Sequence, residues 1–224
     1  MNVRLFLMVG CVAGMCAACT HKGAGSNTDN QIVVHTLILE ADSLMRSDSL
    51  FWNTPVDRAH PRVCIHDALI REKLDSAISL CPDKQTYLLK YTYLLRSWRL
   101  PEVLALLREM DTCMRDSMSP ELWNMKAMLE DYKGDSVVAR KDFLRADSAY
   151  GVKVQEVAQD SLMYGFVRLE KALNFSLMKN DFRVLQEEIT FYERVNGKAV
   201  HGMEQWKNLT DKRAYYRQVF GQPE

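Results

Sequence analysis

The chain has 224 residues, 29 Lys and Arg against 29 Asp and Glu, and a hydrophobic share of 47%. That even balance excludes a globally basic surface of the kind nucleic-acid binding needs. The apolar share suits a packed core rather than a disordered chain, and the length suits one or two domains.

Arg4 is the one charge among residues 1–18, and Leu5 to Ala18 carries no charged residue. A basic start, a short apolar run and small residues at its end have the pattern of a secretory signal. The run falls short of the ~20 apolar residues that span a bilayer. Its end, Cys16-Ala17-Ala18-Cys19, resembles the lipobox of bacterial lipoproteins, in which small residues precede a cysteine that is acylated and becomes the N-terminus. The resemblance implies lipidation at Cys19 and attachment to a membrane. Cys16 stands where the family usually has a leucine-like residue, and Cys11 and Cys16 are the rival acceptors. Residues 19–30 then read as a flexible Gly/Ser/Thr/Asn tether. They lack the acidic cluster that surface-exported Bacteroidetes lipoproteins carry after the cysteine. The lipobox resemblance implies a place at the bacterial cell envelope, and with the acidic cluster missing the expected side is the outer membrane facing the periplasm.

Residues 31–224 read as a single all-α domain, because helical periodicity runs through nearly all of it and glycines and prolines fall at intervals. Ile32 to Phe51 is amphipathic and is expected to pack on the first helix pair. Asn53 to Pro61 is the least regular linker, and a helix is expected from near Arg62 until Pro82 stops it. Tyr87 to Trp98 is a strongly apolar helix. Pro101 opens the next one in its first turn, and Pro120 opens the one after, with Ser119 as cap.

The clearest unit is Trp123 to Asp147. Trp123, Ala127, Ala139, Phe143 and Ala146 lie on helical spacings about a Gly134-Asp135 break. This resembles a tetratricopeptide repeat, with large and small residues alternating in two helices around a Gly-Asp turn. Lys126 and Glu130 depart from it, since the family prefers apolar residues there. Val103 and Ala139 occupy equivalent positions 36 residues apart, close to the roughly 34-residue period of these repeats. The resemblance covers residues 62–150 and implies a right-handed solenoid of antiparallel helix pairs, about 8–10 helices in all. Beyond 150 only helix-pair logic remains: Asp160 to Lys179, Phe182 to Arg194, then a C-terminal capping helix from Gly202 to Phe220.

Chemistry-bearing patterns are sparse. Cys64, Cys81 and Cys113 show no disulfide framework and read as small buried hydrophobes, with one disulfide as the alternative. His60, Cys64 and His66 match no common zinc spacing and would not converge on a helix beginning near Arg62. Glu187-Glu188 has no companion base and reads as solvated. No phosphate loop or nucleophile motif occurs, so neither a cofactor, a metal nor a catalytic residue is expected.

Asp-Ser followed by an apolar residue occurs seven times among 16 Asp and 13 Ser, where random order gives about one. The serines are Ser43, Ser49, Ser76, Ser117, Ser136, Ser148 and Ser161. Helix capping by the Asp is one explanation. The other is resemblance to the O-glycosylation sequon of Bacteroidetes, which implies modification at these serines. The functional expectation is a lipid-anchored, non-catalytic scaffold for an envelope protein or peptide, without nucleic acid. Its partner face is expected from aromatics of the first helices: Tyr87, Tyr91, Trp123, Tyr132 and Tyr164. The alternatives are a small-molecule or glycan binder and, further off, a divergent hydrolase whose carboxylates would have to converge.

Overall fold

The computed structural model describes residues 28–57, 60–159, 162–196 and 204–221. Cys11, Cys16, Cys19, the rest of the expected signal segment, Asp160 and Ser161 lie outside them. Every regular element among the described residues is helical. None of these helices is long and apolar enough to cross a membrane. The chain divides after Trp98 into two compact units.

The first unit holds α1 (Thr28–Ser47), α2 (Ser49–Asn53), α3 (Asp67–Leu80) and α4 (Lys84–Arg96). Val34, Ile38, Ala41 and Met45 recur one and two turns apart, form the buried stripe of α1, and pack chiefly on α3. Ile70, Leu74 and Ala77 answer them from α3. The expected helix from Ile32 to Phe51 is broken at Asp48. Its carboxylate accepts from Phe51 N (2.9 Å) as the cap of α2, and from Ile65 N (3.1 Å) in the following linker. One acid thereby satisfies a helix start and pins a loop.

Arg96, from α4, closes the other end of α2. Its Nη2 donates to the carbonyls of Phe51 and Trp52 (both 2.6 Å) and Thr54 (3.1 Å), carbonyls that helix geometry leaves free. The helix expected from near Arg62 starts at Asp67 instead, so His60, Cys64 and His66 all precede it.

The second unit runs α5 (Leu100–Cys113), a 3-10 turn (Arg115–Ser117), α6 (Pro120–Tyr132), α7 (Ser136–Glu156), α8 (Leu162–Lys179), α9 (Arg183–Asn196), α10 (Glu204–Lys207) and α11 (Lys212–Phe220). Successive helices from α5 to α10 pack on one another, most extensively α6 on α7. Helix α6 also meets α5 and α8, and every residue from Glu121 to Glu130 is buried. The small and large residues of the Trp123–Ala146 pattern all sit at this contact, with Ala127, Ala139 and Ala146 almost wholly enclosed. Small side chains let the two backbones close up, and Trp123 and Phe143 fill the space alongside.

The α6–α7 turn needs its glycine. Gly134 has φ 94°, and the flanking bonds Gly134 N to Asp131 O (3.0 Å) and Asp135 N to Glu130 O (2.9 Å) close the helix end. Asn180 (φ 52°) ends α8 in the same left-handed region.

The C-terminal segment corrects the expectation of one helix from Gly202 to Phe220. It breaks at Asn208–Asp211, where the Gln186 amide takes up the carbonyls of Lys207 (3.2 Å) and Leu209 (3.1 Å). Asp211 then caps α11 through Ala214 N (2.9 Å).

Candidate functional site

Burying all of α6 brings polar side chains inside, and each must find a partner there. At its C-terminal half, Lys126 is 3% exposed. Its ammonium lies 2.6 Å from Asp142 of α7 and 3.1 Å from Asp111 of α5. Arg145 donates to the same two acids at 3.0 and 3.3 Å, and Arg115 adds a third donor on Asp111 at 2.8 Å. Both Lys126 and Arg145 lie over the Trp123 ring, at 5.7 and 4.8 Å from its centroid. Burial alone would raise the Asp111 carboxyl, but the bonds from Arg115 and Lys126 outweigh it and hold the group below its ordinary value. Glu130, one turn on, is clasped by Arg108 through two 2.7 Å bonds. The two residues that departed from the repeat pattern thus form a buried ionic tie across three helices.

At the N-terminal half of α6 lies a second polar seam. Glu121 (6% exposed) accepts a hydrogen bond from Lys153 of α7. Burial works against its ionisation, but Lys153 and Ser119 reverse the balance and keep the carboxyl low. Glu170 of α8 faces the same pair. Burial, then the nearby Glu121 charge, push it up to about 7, and Lys153 offsets only part of this. Tyr150 is fully buried and raised well above the ordinary phenol value, by burial and then by Glu170 and Glu121, while Asn124 donates to it. Glu121 of α6 and Lys153 of α7 are therefore in direct contact, and the charges of both act on Glu170 of α8. Sequence reading missed this, because Glu121 and Glu170 lie 49 positions apart and no local pattern links them.

The outward side of α8 and α9 is different in kind. Arg168 bonds Glu188 and lies between Tyr164 (5.6 Å) and Phe191 (4.8 Å), and Arg194 covers Phe191 at 5.5 Å. Phe191 is 39% exposed, and Met163, Val184 and Val195 are exposed with it. A cleft of about 390 Å³ along α9 is lined by Arg183, Gln186, Glu187, Thr190, Phe191 and Arg194. Glu187 is on this solvated side, while Glu188 is held by Arg168.

The expected partner face is corrected by burial. Tyr87 (1%), Tyr91 (5%) and Trp123 (5%) are core side chains, and a ring enclosed by its own protein has no surface to offer. Tyr132 is half-buried and packs on Tyr216 and Phe220 of α11. Tyr164 alone joins the outer face of α8 and α9. Of the Asp-Ser sites, Ser43, Ser49, Ser136 and Ser148 are exposed, and Ser76 and Ser117 are half-buried. Asp48 and Asp135 cap helices, whereas Asp42, Asp75 and Asp147 lie inside them. Capping therefore accounts for only part of the repetition.

Cys64, Cys81 and Cys113 are free thiols. Cys64 is buried and raised by that burial, and it donates weakly to the Leu44 carbonyl (3.9 Å). Among the described residues no three His, Cys, Asp or Glu side chains gather as metal ligands. No protein-family model matches the sequence, and comparison with curated proteins and with solved structures finds no match.

Proposed function

We propose that the chain is a lipid-anchored scaffold of the bacterial envelope, tethered at Cys19 and facing the periplasm, which binds a protein or peptide partner without catalysis. Its body is read as a right-handed solenoid of tetratricopeptide-like helix pairs closed by α11. The observation that carries the reading is the α8–α9 outer face. Arginine and aromatic side chains stacked together, with exposed apolar neighbours and a polar rim, have the composition of binding hot spots. The partner face therefore moves from the first-helix aromatics to Tyr164, Arg168, Phe191 and Val195.

The test is affinity purification of the lipidated protein from its native envelope, beside Phe191→Glu. A protein recovered in stoichiometric amount with the wild type and lost with the variant is expected. Equal recovery with both refutes the assignment of this face. O-glycans are proposed first at the exposed Ser43, Ser49, Ser136 and Ser148. An intact mass equal to chain plus lipid refutes them.

The action of the Glu121 charge on Glu170 favours a second reading, a hydrolase with this pair as acid and base. Glu121 is enclosed and tied to Lys153, which leaves Glu170 alone to meet a substrate. The scaffold reading is preferred on that ground.

A further inference from the structure

Helix α1 has apolar residues on two sides. Val34, Ile38, Ala41 and Met45 face the core. Ile32 (61% exposed) and Leu39 (55% exposed) lie two turns apart on the opposite side, and Val33 is exposed beside them. A surface helix ordinarily sets polar residues opposite its core stripe. Thr36 falls between Ile32 and Leu39, and its hydroxyl donates to the Ile32 carbonyl at 2.9 Å, so that proton is satisfied within the helix. From Asn30 to Leu39 the chain has no Asp, Glu, Lys or Arg. The charges that follow are paired inside the first unit. Glu40 accepts from Lys73 of α3, and Asp42 is bonded to Arg46 at 2.7 Å.

The position of the outer stripe along the chain points to its occupant. Residues 20–27 are all that separates Cys19 from Thr28, where α1 begins. Fully extended, that segment reaches at most about 30 Å. A lipid on Cys19 therefore holds the start of α1 within this distance of the bilayer. Covalent attachment makes contact with the bilayer an intramolecular event at high effective concentration, so an apolar patch too small to bind a membrane alone suffices here.

We propose that the first three turns of α1 seat on the lipid surface, with Ile32, Val33 and Leu39 entering the boundary between headgroups and acyl chains. This rests on lipid attachment at Cys19 as proposed above. The seat ends at Leu39. Ser43, one turn beyond on the same side, is exposed, is a proposed glycan site and stays in water. Helix α1 therefore dips N-terminus first instead of lying flat. An interfacial helix sinks about 5–10 Å, and the rise of roughly 16 Å from Ile32 to Ser43 accommodates that depth. Lipid and helix together fix the orientation of the first unit at the membrane.

The test uses the full lipidated chain in bilayers of phosphatidylethanolamine and phosphatidylglycerol in equal parts. Flotation with vesicles shows whether the chain is anchored, and methyl NMR in discs of the same lipids, with and without nitroxide-bearing lipid, reads the seat. Leu50 and Ile65 are the comparison, since both are exposed in the same unit but stand at the far end of α1. That end is roughly 22 Å from Ile32 along the helix axis. Nitroxide relaxation of the Ile32, Val33 and Leu39 methyls is expected to exceed that of Leu50 and Ile65 by at least about tenfold. Ile32→Glu combined with Leu39→Glu lies outside the core, and should leave the urea midpoint unchanged while cutting relaxation at Val33 about tenfold. The wild-type contrast stands whether or not this variant folds. Equal relaxation at the stripe and at Leu50 and Ile65 overturns the seat, as does relaxation at Val33 that survives the double substitution. Stripe methyls that respond to chain concentration but not to nitroxide lipid assign the stripe to a second copy and overturn it too. A chain that fails to float refutes the anchor and the seat with it. A chain that floats without the methyl contrast refutes the seat alone.

Discussion

Lys126→Met tests whether the buried ionic tie holds the second unit together. The ammonium is nearly sealed from water and bridges Asp142 at 2.6 Å and Asp111 at 3.1 Å. Removing it leaves Asp142, whose side chain is 1% exposed, with Arg145 as its remaining cation at 3.0 Å. Breaking a buried pair by deleting one partner costs about 3–5 kcal/mol. Arg145 softens the loss, while the contact of Lys126 with the Trp123 ring adds about 0.5–1 kcal/mol to it. A net loss of about 3 kcal/mol is expected. Lys126→Met with Asp142→Leu removes both desolvation penalties and should return to within about 1 kcal/mol of the wild type. Equilibrium urea unfolding followed by circular dichroism reads all four corners of the double-mutant cycle. A loss below about 1 kcal/mol in the single variant, or a double variant weaker than Lys126→Met alone, would refute the reasoning.

Gly165→Ala should destabilise by about 1–3 kcal/mol, because a Cβ there meets the Tyr192 ring carbons at 2.3 and 2.6 Å; an unchanged urea midpoint counts against it. Gly151→Ala, whose Cβ meets only the mobile tip of Lys171 at 3.6 Å, should stabilise by about 0.5–1 kcal/mol. Global stability should fall as pH rises from about 4.5 to about 7 and level off above, since a carboxyl raised on folding favours the folded state only while protonated. Urea midpoints across that window should show about 2–3 kcal/mol in the wild type and almost none in Glu170→Gln. Cys19→Ser should abolish incorporation of labelled fatty acid, and labelling that persists moves the acceptor to Cys16 or Cys11.

Helix positions were legible because periodicity, caps and breakers act within a few residues. Pro82, Pro101, Pro120, Gly134 and Asn180 all stand where helices end or begin. Misplaced boundaries had tertiary causes. Asp48 breaks the first helix because its carboxylate serves a loop 17 residues on. The last helix splits because Gln186, on α9, offers its amide to the carbonyls at the break. The partner face was misread because amphipathic period identifies which side of a helix is apolar, not which apolar side another helix will cover. Trp123 is covered, and Phe191 is not.

The sequence by itself determined an all-helical chain, the small-large pairing that brings α6 onto α7, and the Cys16–Cys19 segment on which the envelope reading stands. These are properties of spacing and residue type. Only the tertiary structure decided that α6 is enclosed along its length, so that Lys126 and Glu130 became buried ion-pair partners rather than solvated breaks in a pattern. It alone brought Lys153 of α7 onto the enclosed Glu121 of α6. Charges separated by several turns of chain interact through the space that packing leaves between helices, and that space is settled only when all three helices are in place.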